Sequence, residues 1–286
     1  MAVRLPEIAR RTIAENDLGT GEIEEVALLI DEIESGSIRA VSETEAPDAH
    51  AWASYVERYA GMSWLDAPWF FVETYFYRRL LAATGYSRRG KRLGVDPFAG
   101  QKQAGLDGSM GLADGLAGLL HDVSALVAAA LRANQVDLSL WPAGAAAGGA
   151  ESRTRAVLGG DRTSRLVVDD ADELIRQLDR PADAVLAMVL DNAGAELIAD
   201  LALAAAMIER GARVVLHAKA HPTFVSDATA TDVLSTIRRL AAVPSPARRI
   251  GDPLTQAVSD STVRVVAPSF WVSPCALWNA PPGLVD

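Results

Sequence analysis

The sequence has one cysteine, Cys275, among 286 residues. A single thiol excludes an intrachain disulfide and fits a reducing cytosol. As a nucleophile it would need a base, and nothing in the sequence brings His217 or His221 to it, so a small buried residue is the expectation. Long apolar runs are also missing. The longest are Ala-rich stretches of ordinary helix length, and MAVRLPEIARR at the start has no apolar core of a signal peptide, which predicts a cytoplasmic protein with no membrane partner. Positive charge is scarce: 27 Lys plus Arg face 37 Asp plus Glu, a formal net charge of -10. Apart from SRRGKR at 87–92 there is no basic cluster, so a nucleic acid is excluded as an expected partner. No internal repeat is present.

Half of the residues are apolar, enough to bury a sizeable core in one large or two joined domains. From Pro6 to about Asn134 the pattern is helical. GEIEEVALLIDEIESG has apolar residues at three and four spacing with Gly36 as C-cap. Further helices are expected over Pro47 to Arg58 and Pro68 to Thr84, and one long helix over Leu106 to Asn134. The composition changes after Trp141, where PAGAAAGGAESRTRAVLGG reads as a connection or exposed loop. A helical region over 1–140 and an α/β domain over 141–286 are therefore expected. In the second, the strands RLVVDD, AVLAMVLD, RVVLHAK and STVRVVAPSFWV alternate with the helices ADELIRQLDR, GAELIADLALAAAMIERG and TATDVLSTIRRLAAV. That alternation predicts a parallel, doubly wound α/β sheet.

In such a sheet the ligand site lies beyond the carboxyl ends of the strands. The polar residues gather there: Asp191 and Asn192 after AVLAMVL, Lys219 after RVVLHA, and Ser226, Asp227 and Thr229 in the following loop. Oxygen-rich ligands suit a hard divalent cation such as magnesium or manganese, with water and substrate phosphate completing the shell. Asn192 and Gly194 stand at a helix N-terminus whose free N–H groups, with Lys219, suit phosphate oxygens. Taken alone, Asp191–Asn192 reads first as an Asx-turn and helix cap; Asp227 and Lys219 at the next strand end turn the balance towards a metal. Glu196 and Asp200, four apart on one helix face, either support the site or are solvated. His217 reads as a core histidine and PWFFVETYFYRR as a core aromatic stripe, with Glu73 and Arg78 embedded in it.

At these residues the chain resembles the damage-control phosphatase family, long filed as domain of unknown function 89, and within it the branch once called acidic residue methyltransferase. The resembling segments are WLDAPWFFVETYFYRR at 64–79, DPFAGQK at 96–102, NQVDLSL at 134–140, LDNAGAELIADL at 190–201 and HAKAHPTFVSDATATD at 217–232. The resemblance implies a helical N-terminal region before a Rossmann-like three-layer α/β/α domain. It further implies hydrolysis of small phosphorylated sugars, such as fructose 1-phosphate or fructose 6-phosphate, assisted by Mg2+, Mn2+, Co2+ or Ni2+. The metal ligands carried over are Asp191, Asn192 and Asp227, with Asp191 and Lys219 as catalytic groups. Glu73, Arg78, Asn134, Asp137 and Glu196 match positions around the substrate. Water or Asp191 itself would be the nucleophile.

Family members usually continue past a segment like WVSPCALWNAPPGLVD into a strand with a Lys-Gly-Asp motif. The expectation is a domain lacking its last strand, with metal binding retained and turnover impaired. Two other readings remain. A methyltransferase using S-adenosylmethionine would want a glycine-rich loop after the first strand, where DNAGAE has one glycine. A non-catalytic binding protein would follow from loss of the last strand.

Overall fold

The computed structural model of the chain describes residues 1–40, 46–137, 150–159, 168, 170–178 and 185–284. It divides into two compact units. The first comprises Met1–Gln101, His221–Val225 and Ser269–Pro281; the second comprises Lys102–Ala220, Ser226–Pro268 and Pro282–Asp286.

The first unit is helical: α1 (Arg4–Glu15), α2 (Thr20–Ser35), α3 (Ala49–Glu57) and α4 (Trp69–Ala83). Helix α1 buries Leu5, Ile8, Ala9 and Thr12, and α2 buries Val26, Leu29, Ile30 and Ile33. That spacing places one apolar stripe on each helix. Gly36 ends α2, its N–H bonding Glu32 O at 3.0 Å. Helix α4 is buried on nearly every side, Phe71, Val72, Tyr75, Phe76, Tyr77 and Leu80 among its core residues. The aromatic stripe is thus core, as its sequence suggests. The buried carboxylate of Glu32 is satisfied by Arg79 at 2.9 Å, Arg39 at 2.6 Å and the Trp64 indole at 3.2 Å.

Helix α5 (Ala99–Gly108) leads into the second unit, followed by α6 (Met110–Ala117), α7 (Val123–Asp137), α8 (Ala150–Leu158) and α9 (Ala171–Leu178). Then come β1 (Val185–Val189), α10 (Ala195–Glu209), β2 (Arg213–His217), α11 (Ala230–Ala242), α12 (Arg248–Ser259) and β3 (Val263–Val266). The strands form a parallel sheet in the order β1-β2-β3, with Leu186 opposite Val214 and Leu216 opposite Val265. Parallel neighbours require crossovers, which α10 and the α11–α12 pair supply. Leu186, Met188, Val214, Leu216, Val263 and Val265 share one core with Leu201 of α10, Ile237 of α11 and Leu254 of α12. These strand residues alternate, so the crossover helices cover one face of the sheet. The fold is α/β with a parallel sheet, as expected.

Several elements differ from expectation. The single helix over Leu106 to Asn134 is three, α5, α6 and α7, because Gly108–Ser109 and Gly118–Asp122 interrupt it. Asp122 then caps α7, its Oδ1 accepting the Ala125 N–H at 3.0 Å. The stretch read as a loop after Trp141 contains α8. Strand β3 stops at Val266, and Ser269–Val272 forms a 3-10 turn. Helix α12 was not expected at all. Of RLVVDD, only Val168 and Asp170 lie among the described residues.

Candidate metal and phosphate site

Beyond the ends of β1 and β2 the backbone continues in pairs. Leu190 N bonds His217 O at 2.9 Å and Ala218 N bonds Val266 O at 2.8 Å. Residues 226–229 then insert alongside. Ala193 N bonds Ser226 O at 2.7 Å, Ala228 N bonds Asp191 O at 2.7 Å, and Lys219 N bonds Ala228 O at 2.9 Å. Asn192 thereby faces Asp227 across an antiparallel bridge and Lys219 faces Thr229 across a parallel one. The irregular loop after β2 is held in register with the turn after β1, which is why Asp191 and Asp227, 36 residues apart, come to one place.

The side chains complete the meeting. The Lys219 ammonium lies 2.8 Å from Asp227 Oδ2 and 3.1 Å from Asp191 Oδ1, and it also donates to Leu190 O at 3.3 Å. The carboxylate of Asp227 is buried and that of Asp191 is half exposed. The Asn192 amide is held at both ends: Ser226 Oγ donates to its Oδ1 at 2.6 Å and its Nδ2 donates to Glu196 Oε2 at 2.9 Å. The same Glu196 oxygen accepts from Asn134 Nδ2 on α7 at 3.0 Å. Gly194, which precedes α10, has φ of 94°, a conformation open to glycine and strained for other residues.

The electrostatics show crowding of negative charge. Burial pushes the Asp227 carboxyl up to about 7, with Asp191 adding to the shift and Lys219 opposing it. Burial pushes Asp200 up to about 8, and the charges of Glu196 and Asp191 add to it. Glu196 is raised by burial, against the hydrogen bonds from Asn192 and Asn134. Burial pulls Lys219 down, yet Asp227 and Asp191 outweigh it and its ammonium is held more firmly than usual.

The damage-control phosphatase ARMT1-like domain model matches residues 1–286. The chain belongs to this family. It is 29% identical over 227 residues to the damage-control phosphatase ARMT1 of Danio rerio, covering 69% of this chain and 50% of that protein. It is 29% identical over 219 residues to that of Mus musculus, covering 65% and 48%. The chain thus spans about half the length of these curated relatives. In solved structures it resembles a DUF89 family protein of Pyrococcus horikoshii, with a TM-score of 0.51, 15% identity and coverage of 93% of this chain and 71% of that one.

Within this ARMT1-like domain the other expected site residues are placed as follows. Asn134 reaches the Asn192 turn through Glu196. Asp137 closes α7, and its side chain lies outside the described residues. Glu73 and Arg78 belong to the first unit, both buried. Glu73 pairs with Arg4, and Arg78 forks onto Asp48, Nε to Oδ2 at 2.8 Å and Nη2 to Oδ1 at 2.9 Å. His217 is buried in β2. Cys275 is partly buried with Tyr55 Oη 3.6 Å away. No helix among the described residues is long and apolar enough to cross a membrane.

Among the described residues no three His, Cys, Asp or Glu side chains cluster closely enough to hold a metal by themselves. The donor set at this site is different in kind: two carboxylates and one amide oxygen, with a cation, Lys219, already between the carboxylates. Three oxygens with solvent access through Asp191 suit a hard divalent ion that keeps several waters. The residues present therefore fit such an ion.

Lys102 and Asp232 were not singled out from the sequence as site residues. Lys102 Nζ bonds Asp232 Oδ2 at 2.9 Å, a pairing invisible in sequence order. Asp232 carried a readable signal, since Thr229-Ala230-Thr231-Asp232 is a capping-box pattern.

Proposed function

We propose that this chain is the phosphatase domain of a metal-dependent enzyme that hydrolyses small phosphorylated metabolites, sugar phosphates such as fructose 1-phosphate or fructose 6-phosphate among them. The observation that carries this reading is the Lys219 ammonium between Asp191 and Asp227, beside an Asn192 amide pinned at both ends. Asp191, Asn192 and Asp227 would hold Mn2+, Mg2+, Co2+ or Ni2+. When bound, such an ion supplies positive charge against that developing on the phosphoryl oxygens. Lys219 would turn from the carboxylates to a phosphate oxygen, and the N–H groups that open α10 would take another. Ser226 and Glu196 keep the Asn192 oxygen directed, because each holds one end of the amide. Asp191, the half-exposed carboxylate, either orients the attacking water or attacks phosphorus itself. In the second route the bond to the sugar oxygen breaks, that oxygen leaves as a hydroxyl after taking a proton from water, and water then cleaves the aspartyl-phosphate to free phosphate and Asp191. Trapping a phosphorylated Asp191 decides for the second.

The test is release of phosphate from an aryl phosphate and then from the two fructose phosphates, with and without Mn2+. Metal-dependent turnover is expected, falling by roughly 100-fold or more in Asp191→Ala and Asp227→Ala. Full activity in both variants with metal still bound would sink the assignment. Absence of turnover together with binding of S-adenosylmethionine in calorimetry would give the site to methyl transfer instead. Absence of both, with Mn2+ bound, would leave a binding protein.

A further inference from the structure

Helix α5 touches both halves of the site. Gly105 comes so close to Gly194 that a Cβ built on Gly194 would lie 3.4 Å from the Gly105 carbonyl carbon. Three residues earlier on the same helix, Lys102 reaches the other half. Its side chain is 3% exposed and its ammonium lies 2.9 Å from Asp232 Oδ2. That one oxygen also accepts from Thr229 N at 2.9 Å and Thr229 Oγ1 at 2.7 Å. Thr229 is bridged to Lys219, and Ala228 before it is bonded to Asp191 O. Asp227 is therefore two residues from the point where α5 fastens its loop.

A capping box needs no ammonium, since its reciprocal bonds involve only the cap residue and the third helical one. Burying a lysine costs several kcal/mol unless its partner is well placed; here Asp232 is placed to receive it, and the lysine's charge also acts on the buried carboxylate of Asp227. We propose that the Lys102–Asp232 pair is a clamp that positions Asp227. By fixing Thr229 it sets the distance between the Asp227 carboxylate and the Asp191–Asn192 turn, and Gly105 against Gly194 keeps that turn on the same helix. Lys102 is a positioning residue. It acts on the loop rather than on the substrate. The claim about the loop stands by itself, and the claim about metal affinity rests on the proposed function.

The two parts separate in one experiment on the metal-free and Mn2+-loaded protein, using Lys102→Met, Asp232→Asn, the double variant and Lys102→Arg. In metal-free protein, amide exchange at Ala193, Lys219 and Ala228 should quicken roughly 10-fold or more in the two single variants, with the double no worse than either. Lys102→Arg should restore most of the protection. With metal, Mn2+ affinity should fall by about 10- to 100-fold, as for lost partners of metal ligands elsewhere, while Tm stays near that of the parent. Wild-type exchange in both single variants overturns the clamp, whatever happens with metal. Faster exchange with unchanged Mn2+ affinity overturns the positioning of Asp227. If the parent protein itself binds no Mn2+, the proposed function falls, and the exchange rates still decide the clamp.

Discussion

Burial pulls the Lys219 ammonium down, and the carboxylates of Asp227 and Asp191 more than offset that pull. Removing the ammonium leaves the buried Asp227 with only the weaker pull of Lys102, so Lys219→Met should lower stability by about 3 kcal/mol in the metal-free protein. Mn2+ would then replace the missing charge. Thermal melts should show a larger Mn2+-induced rise in Tm for the variant than for the parent, and an equal rise would separate the lysine from the metal. Asp200 titrates in the other direction from an ordinary carboxylate. Burial pushes its carboxyl up to about 8, well above the ordinary value of about 3.9, so the folded state holds the proton more tightly than the unfolded chain. The associated stability is present in full below the unfolded value and is lost as pH rises through about 8. Between pH 5 and pH 8.5 the metal-free parent should therefore lose several degrees more of Tm than Asp200→Asn, roughly 4 °C or more at about 2–4 °C per kcal/mol. Parallel curves for the two proteins would show that Asp200 is not held protonated.

Among the elements, helices α11 and α12 approach each other closely. A Cβ on Gly251 would lie 2.2 Å from Ala241 N and 2.5 Å from the Leu240 carbonyl carbon, and backbone atoms cannot step aside as a side-chain tip can. Gly251→Ala should cost about 3 kcal/mol or prevent folding, at the upper end of overpacking penalties. Urea unfolding measures it, and a loss below about 1 kcal/mol would mean that the helices separate freely. The same residue explains why α12 was illegible in the sequence. Gly251 and Pro253 read locally as helix breakers, and only the neighbouring helix shows that the glycine is there for close approach. Strands β1 and β2 and helix α10 were legible because continuous apolar runs are bounded by turn residues. The site was legible to the extent that it follows from strand ends: Asp191, Asn192, Lys219 and Asp227 all come from that rule. Lys102 was not, since its partner is 130 residues away and a lone lysine in DPFAGQK has no local mark.

For the molecule as a whole, charge sets the partners. A formal net charge of -10 opposes any polyanion, while the small phosphate ester proposed as substrate would need only the local field at Lys219 and the start of α10. A gel-shift titration with duplex DNA in 0.15 M salt should show no complex at micromolar protein. A salt-sensitive shift would place a basic surface outside the site. The two compact units also carry separate buried ion networks, Glu32 with Arg79 and Arg39 in the first and Lys219 with its carboxylates in the second.

Helix α10 is buried on almost every side, from Leu197 and Ile198 through Leu201 and Ala205 to Met207. A helix buried this far is stable only inside the core that surrounds it. The turn that leads into it, Asn192 to Gly194, is therefore tied to the hydrophobic core of the second unit. The other wall of the site is a short loop held by a few backbone bonds and one ion pair. An ion or ester bound as proposed would rest against the start of a core helix on one side and, on the other, against residues 226–229, tied through Thr229 to Asp232 and through Asp232 to Lys102.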